Sequence, residues 1–389
     1  MIRSLLSTLA IGPACCVLML SGLLSAQNDG RDVDYEWGKA LSEKYRYFDM
    51  AERIFDRMKA DPDKTKKNLG LKGLASLKRA QALRSDDLEQ RATWNAEAVE
   101  SLREVSKNLR VGTNAYYETL FDLADILQDV ATEATDQINL GRVPSDQIEA
   151  VQKENQNRLD EAEGIFNKIR SDLADKDEDS QPEEWFMGVR ARLYSLTILL
   201  NKAELIATDP VKLKSPARLK HLKDALEGLD LFNLDYEGKP IGFYGYLWMG
   251  RVQQALFASK EPNVSAADVE LNFTYVYSET IFEAMDYDAD GNEVAVKNWV
   301  PPESFQDLAQ RAVWWLFKFQ NESGRTGEAV TFGKRFRDDW KKFKMDYNFF
   351  GRLALNELAA AHHAEGQSAE ALELAAFVSE KGGFPGQEA

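Results

Sequence analysis

Asp286, Asp288 and Asp290, followed by Gly291, set three carboxylates at positions 1, 3 and 5 of a loop with glycine at position 6. Hard oxygen donors at that spacing suit Ca²⁺, and the glycine permits the sharp turn that wraps a chain around the ion. A bidentate Glu belongs at position 12. Here Lys297 stands in that place and Glu293 at the usually apolar position 8. The lysine puts a positive charge where two ligand oxygens are needed. The alternative is a solvated acidic turn on Asp290-Gly291. The expectation is therefore no cofactor, with calcium at Asp286, Asp288 and Asp290 as the exception. A helix over Glu279–Met285 is expected to lead into this loop.

Aromatic rings form the second candidate. Of 41 Phe, Trp and Tyr, 14 fall in residues 1–230 and 27 in residues 231–389. Tyr244, Tyr246 and Trp248 lie close together, as do Trp314 and Trp315, and these five are the candidate ligand-binding residues. Rings give large contact area at small entropic cost, which suits a groove for peptide or sugar. Plain packing between long helices would use the same residues. Adjacent helical positions point about 100° apart, so Trp314 and Trp315 need not share a face.

Two basic islands interrupt an acidic chain: Lys212, Lys214, Arg218, Lys220 and Lys223, then Lys334, Arg335, Arg337, Lys341, Lys342 and Lys344. Either could meet an acidic peptide or an anionic surface, or be a solvated helix face. The whole has 48 basic and 64 acidic residues, a formal net charge of −16. That excludes a general nucleic-acid binder, which needs a basic excess. Zinc-protease, phosphate-loop and nucleophile-elbow motifs do not occur in the sequence. Three histidines and two cysteines are too few for the usual histidine- or cysteine-built metal centres. Paired carboxylates could serve glycoside chemistry, but the acids are too many to choose two.

The elements that must position these residues read as helices. Apolar residues recur at helical spacing from about residue 35 onward, over 35–60, 65–84, 88–109, 114–139, 145–174, 183–207, 215–231, 243–259, 265–285, 303–321, 325–343, 348–364 and 368–380. Pro and Gly mark the breaks, as at Asp61-Pro62, Gly141 to Pro144, Pro210 and Pro301-Pro302. Ser145 and Ser265 are expected as helix caps. Asp235 to Gly238 and Asp286 to Val296 read as short hairpin-like turns. Short connections make neighbouring helices antiparallel, so a long series closes as a toroid or stacks as a solenoid.

Six helices carry a ladder spaced 3, 4 and 3, with a small residue on the second rung. They are Phe48/Ala51/Phe55/Met58, Asn95/Ala98/Leu102/Val105, Leu159/Ala162/Phe166/Ile169, Leu222/Ala225/Leu229/Phe232, Thr326/Ala329/Gly333/Phe336 and Ser368/Ala371/Ala375/Val378. The small rung lets a partner helix approach closely. In the last pair, Leu355, Leu358, Ala359 and His362, then Gly366, Ala371 and Ala375, resemble the tetratricopeptide (TPR) repeat over residues 352–383. Tyr47 to Pro62 resembles the second half of another repeat, partially over residues 45–62. His362 stands where an aromatic is usual, and the Ala-to-Ala intervals vary from 42 to 104.

Before the helices, residues 4–26 carry no charge and follow Arg3, which reads as a secretory signal ending near Ala26. An uncleaved segment of that length could instead span a bilayer. Gly12 and Pro13 stand where lipid attachment at Cys15 or Cys16 needs an aliphatic residue. Both cysteines would leave with the signal, so the remaining 389 − 26 = 363 residues would carry no thiol and a charge of 47 − 64 = −17.

The expected fold is all-α: a signal segment, 1–26, then a TPR-like right-handed superhelix of antiparallel hairpins, 27–389, with a subdivision near 208–216. The expected function is an exported, extracytoplasmic scaffold that binds a protein or peptide partner on a concave face, with no nucleic acid and no membrane span once the signal is cut. The alternatives are a carbohydrate-active enzyme on an α/α toroid, or a TPR-like glycan-binding surface protein.

Overall fold

The computed structural model describes residues 32–85, 87–282, 284–287, 293–296 and 299–380, and only the backbone of 285–287 and 293–295. The signal segment, both cysteines, Asp288, Asp290, Gly291 and Lys297 lie outside the described residues.

Fourteen α-helices are described: α1 (Val33–Glu43), α2 (Phe48–Lys59), α3 (Lys64–Ala82), α4 (Leu88–Asn108), α5 (Asn114–Asn139), α6 (Ile148–Asp172), α7 (Pro182–Ala207), α8 (Pro216–Asp235), α9 (Pro240–Ala258), α10 (Ala266–Thr280), α11 (Glu303–Glu322), α12 (Thr326–Phe343), α13 (Phe349–Ala364) and α14 (Ser368–Glu380). Short strands β1 (Met285–Tyr287) and β2 (Glu293–Ala295) pair antiparallel between α10 and α11, with Asp286 opposite Val294. The turn expected at Asp286 to Val296 is thus a β-hairpin, whereas Asp235 to Gly238 is a connection between helices.

Three expectations need correction. The run over 35–60 is two helices, broken at residues 44–47, where Arg46 adopts φ 59. Ser145 is not a cap: α6 begins three residues later behind Gln147, which makes no side-chain cap. The helix expected over Glu279–Met285 stops at Thr280. There the Thr280 hydroxyl donates back to the Val276 carbonyl at 2.6 Å, and the following backbone is taken up by the hairpin, with Val296 N donating to Ala284 O at 2.8 Å. The Ser265 cap does form, as a capping box with Asp268.

The chain divides into two compact units, with the boundary after Val130 inside α5. Residues 208–216 lie within the second. The first unit buries Leu41, Ala51, Phe55, Met58, Leu74 and Leu77 as one core. Its closest approach of backbone to backbone is at Gly70, where a Cβ would lie 2.5 Å from the Lys59 nitrogen and 2.7 Å from the Phe55 carbonyl oxygen.

The second unit holds two adjoining cores. One is shared by α7, α8 and α9, around Leu193, Leu200, Leu222, Leu229, Phe232 and Val252. The other runs from α9 to α14, around Phe273, Tyr277, Leu316, Phe317, Phe336 and Leu358. The ladder residues are buried almost throughout. Phe48 and Thr326 are half-buried, while Ser368 and Ala375 are exposed and Leu374 is buried beside them. Arg218 is 3 % exposed and ties the second unit's helix ends together. Its guanidinium donates to the carbonyls of Ala203 (3.2 Å) and Ala255 (3.3 Å), in the last turns of α7 and α9, and to Leu213 (2.9 Å). Ala255 O also accepts from the Ser259 N–H and hydroxyl, so the cation adds to bonds already made there and complements the negative helix ends.

Counting α7, α9, α11 and α13 as the first helices of successive hairpins, the starts at 182, 240, 303 and 349 are 58, 63 and 46 residues apart. All exceed the 34-residue TPR period. What the structure gives is a series of helices of unequal length. No helix among the described residues is long and apolar enough to cross a membrane.

Candidate functional site

α11 is amphipathic. Leu308, Ala309, Ala312, Val313, Leu316, Phe317 and Phe319 enter the core, which leaves Asp307, Arg311, Trp314, Trp315, Lys318 and Glu322 in one stripe on the opposite side. α9 is flanked by α8 and α10 and buries Phe243, Leu247, Met249, Val252 and Leu256. Its close approach to α10 depends on Gly250, where a Cβ would come within 2.7 Å of the Phe273 ring. What α9 turns toward α7 and α11 is Tyr244, Trp248 and Arg251, at spacing i, i+4 and i+7.

These stripes meet in a face of alternating rings and cations. Trp314 and Trp315 lie against each other, with centroids 4.2 Å apart at 39°. The Arg251 guanidinium sits 3.3 Å from the Trp315 centroid, and the Lys318 ammonium 5.1 Å from it. Trp314 is 5.6 Å from Phe350 of α13, and Arg311 lies 4.2 Å over that same ring. Such cation–ring contacts contribute about 0.5–1 kcal/mol each where water reaches them. Each cation also has an acid. Arg251 donates to Glu204 of α7 at 2.8 Å, Arg311 to Asp307 at 2.7 Å, and Lys318 lies 4.0 Å from Glu322.

Beside Arg251 opens a cleft of about 300 Å³, lined by Glu204, Arg251, Gln254, Phe257, Phe319 and Glu322. The Arg251 Nε–H is buried there without a partner. Asp136 of α5 faces the same group. Its side chain stays open to solvent, yet the surrounding protein and nearby Glu204 push its carboxyl above the usual range, against Lys318 and Arg251. At the other end of the face, burial pushes the Tyr244 hydroxyl up, with Asp307 adding to the rise and Arg311 and Arg190 opposing it.

Of the five sequence candidates, Trp314 and Trp315 are in direct contact, and Tyr244 and Trp248 share the α9 stripe beside them. Trp248 packs against the core of α7, α8 and α9. Tyr246 turns to the other side of α9 and packs on Tyr275 at 4.6 Å. All five are half-buried. Asp286 contributes backbone to β1, and Asp288 and Asp290 lie outside the described residues. Among the described residues no group of three or more His, Cys, Asp or Glu is placed to hold a metal. The sequence reading missed Arg251, Arg311, Lys318, Phe350, Glu204 and Asp136. Arg311 and Lys318, each at i, i+3 or i+4 from the tryptophan pair, were the available signal.

No protein family and no curated protein matches this chain. Among solved structures it is similar to a circular tandem repeat protein with novel repeat topology and enhanced subunit contact surfaces. The identity is 14 % and the TM-score 0.29, over 93 % of this chain and 75 % of that one.

Proposed function

We propose that this chain is an exported helical-repeat scaffold, TPR-like in architecture, that binds a protein or peptide partner on the face formed by α9, α11 and α13. The observation that carries the reading is the row Arg311, Trp314, Trp315 and Lys318, flanked by Arg251 and Phe350, with its rings half open. Aromatic and arginine side chains are the groups that dominate recognition surfaces. The cleft beside Arg251 offers room for one inserted side chain, and the free Nε–H a donor for it. Extracytoplasmic placement rests on the uncharged segment behind Arg3.

The test is selection of displayed peptides on the full chain, followed by titration against Trp315→Ala. Selected peptides lose affinity about tenfold or more if they use this face. Peptides that bind the variant equally well defeat the reading.

A second reading, glycan binding or cleavage, is favoured by Asp136 and Glu204. Two nearby carboxyls, one of them pushed above the usual range, next to stacked tryptophans, are the kind of pair glycoside chemistry draws on. Release of reducing sugar from polysaccharides, lost in Asp136→Asn, would support it. No release and no glycan retention on an array would dismiss it.

A further inference from the structure

The two basic islands have different fates in the fold. In the first, Arg218 is buried among carbonyls, Lys212 lies 3.4 Å from Asp209, Lys220 2.8 Å from Asp224 and Lys223 2.9 Å from Glu261, which leaves only Lys214 exposed without a carboxylate partner among the described residues. In the second, carried by α12 and the residue after it, the fold answers only part. Arg335 lies 3.7 Å from Asp339 and 5.3 Å over the Tyr277 ring. Arg337 reaches Glu373 of α14 at 3.4 Å, and Lys342 rests 5.1 Å over Phe343. Lys341 and Lys344 are exposed and have no carboxylate partner among the described residues. Lys344 holds the left-handed conformation, φ 52, that ends α12, so it stands just beyond the helix with Lys341 one turn behind.

Both lysines stand on the rim of a cleft of about 690 Å³ between α12 and α14. Its floor is aromatic and ordered by stacking. Trp340 and Tyr347 lie parallel with centroids 5.7 Å apart, and Phe377 meets Tyr347 edge-on at 5.7 Å. Trp340 is fixed by its indole N–H, which donates to the Asp346 carbonyl at 3.2 Å. Met345 and Leu374 complete the apolar surface. On the α14 side, Glu373 is already held by Arg337, and Glu380 keeps that wall acidic. The cleft is therefore polar in one direction, with cations along α12 and acid along α14.

We propose that this cleft docks a short acidic segment of a partner protein, with one bulky apolar side chain seated on Trp340, Tyr347 and Phe377 and flanking carboxylates held by Lys341 and Lys344. Lys341 in the last turn of α12 and Lys344 just past its end both line the cleft, so two carboxylates of an extended segment can be met together. Charge complementarity chooses the partner: a basic segment would meet Lys341, Lys344 and Arg337 at the rim.

The probe is a fluorescein-labelled peptide of Glu and Asp around one central Phe, titrated by anisotropy into the full chain, with an all-Lys counterpart as control. The acidic peptide is expected to bind, and added salt to weaken it. Lys341→Glu combined with Lys344→Glu should weaken it about tenfold or more. Ala376→Trp, an exposed position lining the cleft, fills it without changing charge and should do the same. Lys214→Glu, a charge reversal at an exposed lysine that does not line the cleft, should leave binding unchanged. Absence of binding, equal binding of the lysine peptide, or indifference to both cleft variants overturns the proposal. Binding only to a chain cut after Glu380 also overturns it, since that assigns the cleft to residues 381–389.

Discussion

Each unit holds a large cleft, and the two are opposite in character. In the first, about 590 Å³ is lined by Glu52, Asp56, Glu97, Glu100 and Glu104 together with Lys59, Lys78 and Lys107, and no aromatic residue lines it. Lys78 reaches across to Glu52 at 2.7 Å and Glu97 at 3.2 Å, so its charge is met within the cleft. In the second unit the α12–α14 cleft has an aromatic floor and unpaired lysines, and the α9–α11 face has half-open rings. Size does not distinguish these surfaces. What differs is the lining, mostly acid in the first unit and rings with cations in the second, and that sets what an outside partner can gain.

The largest effects on this comparison should come from the two packing centres, one in each unit. Arg218→Leu removes the guanidinium's bonds to Ala203, Ala255 and Leu213, and a hydrogen bond from a charged donor is worth about 1.5–3 kcal/mol. Thermal unfolding of the second unit should move down by many degrees. Gly70→Ala drives a methyl into the α2 backbone and should cost about 1–3 kcal/mol in the first unit. Peptide binding by the second unit should survive Gly70→Ala. If it does not, the two units do not act as separately as the comparison holds.

A smaller effect is expected from Asp136. Because its folded-state carboxyl titrates above the ordinary value of about 3.9, the folded chain binds the proton more tightly than the unfolded chain. Stability from this group is therefore full at acid pH and lost as pH rises through the raised value. Asp136→Asn should flatten that slope in melting curves taken across mildly acid pH, and an unchanged slope would refute the assignment. The smallest effect concerns Tyr347, whose hydroxyl burial pushes up to about 12 against the pull of Arg337. Tyrosinate absorbance near pH 11 should rise less in wild type than in Phe377→Ala, which opens the floor of the cleft.

The helical fold was legible because a 3, 4, 3 ladder forces four residues onto one side of a helix, and those rungs are the ones buried. No ladder was visible between Ala225 and Ala329, because at α9–α10 the small residue sits on the partner: Gly250 receives Phe273. The helix expected into Asp286 ends early because, although residues 279–285 have helical composition, hairpin pairing takes the backbone of Ala284 and Met285, with partners about ten residues on. The candidate site was half legible. Dense aromatics pointed to α9 and α11, but Tyr246 left the group, since residues two apart on a helix face different ways. Arg251, Glu204 and Asp136 come from three helices, and only folding brings them together.

The central claim is that the α9–α11–α13 face recognises a polypeptide. Calorimetric titration of a display-selected peptide into wild type and into the Trp314→Ala, Trp315→Ala double variant tests it most directly. The account predicts affinity lower by about tenfold or more with the helical circular dichroism retained. Equal affinity in the folded double variant would contradict it.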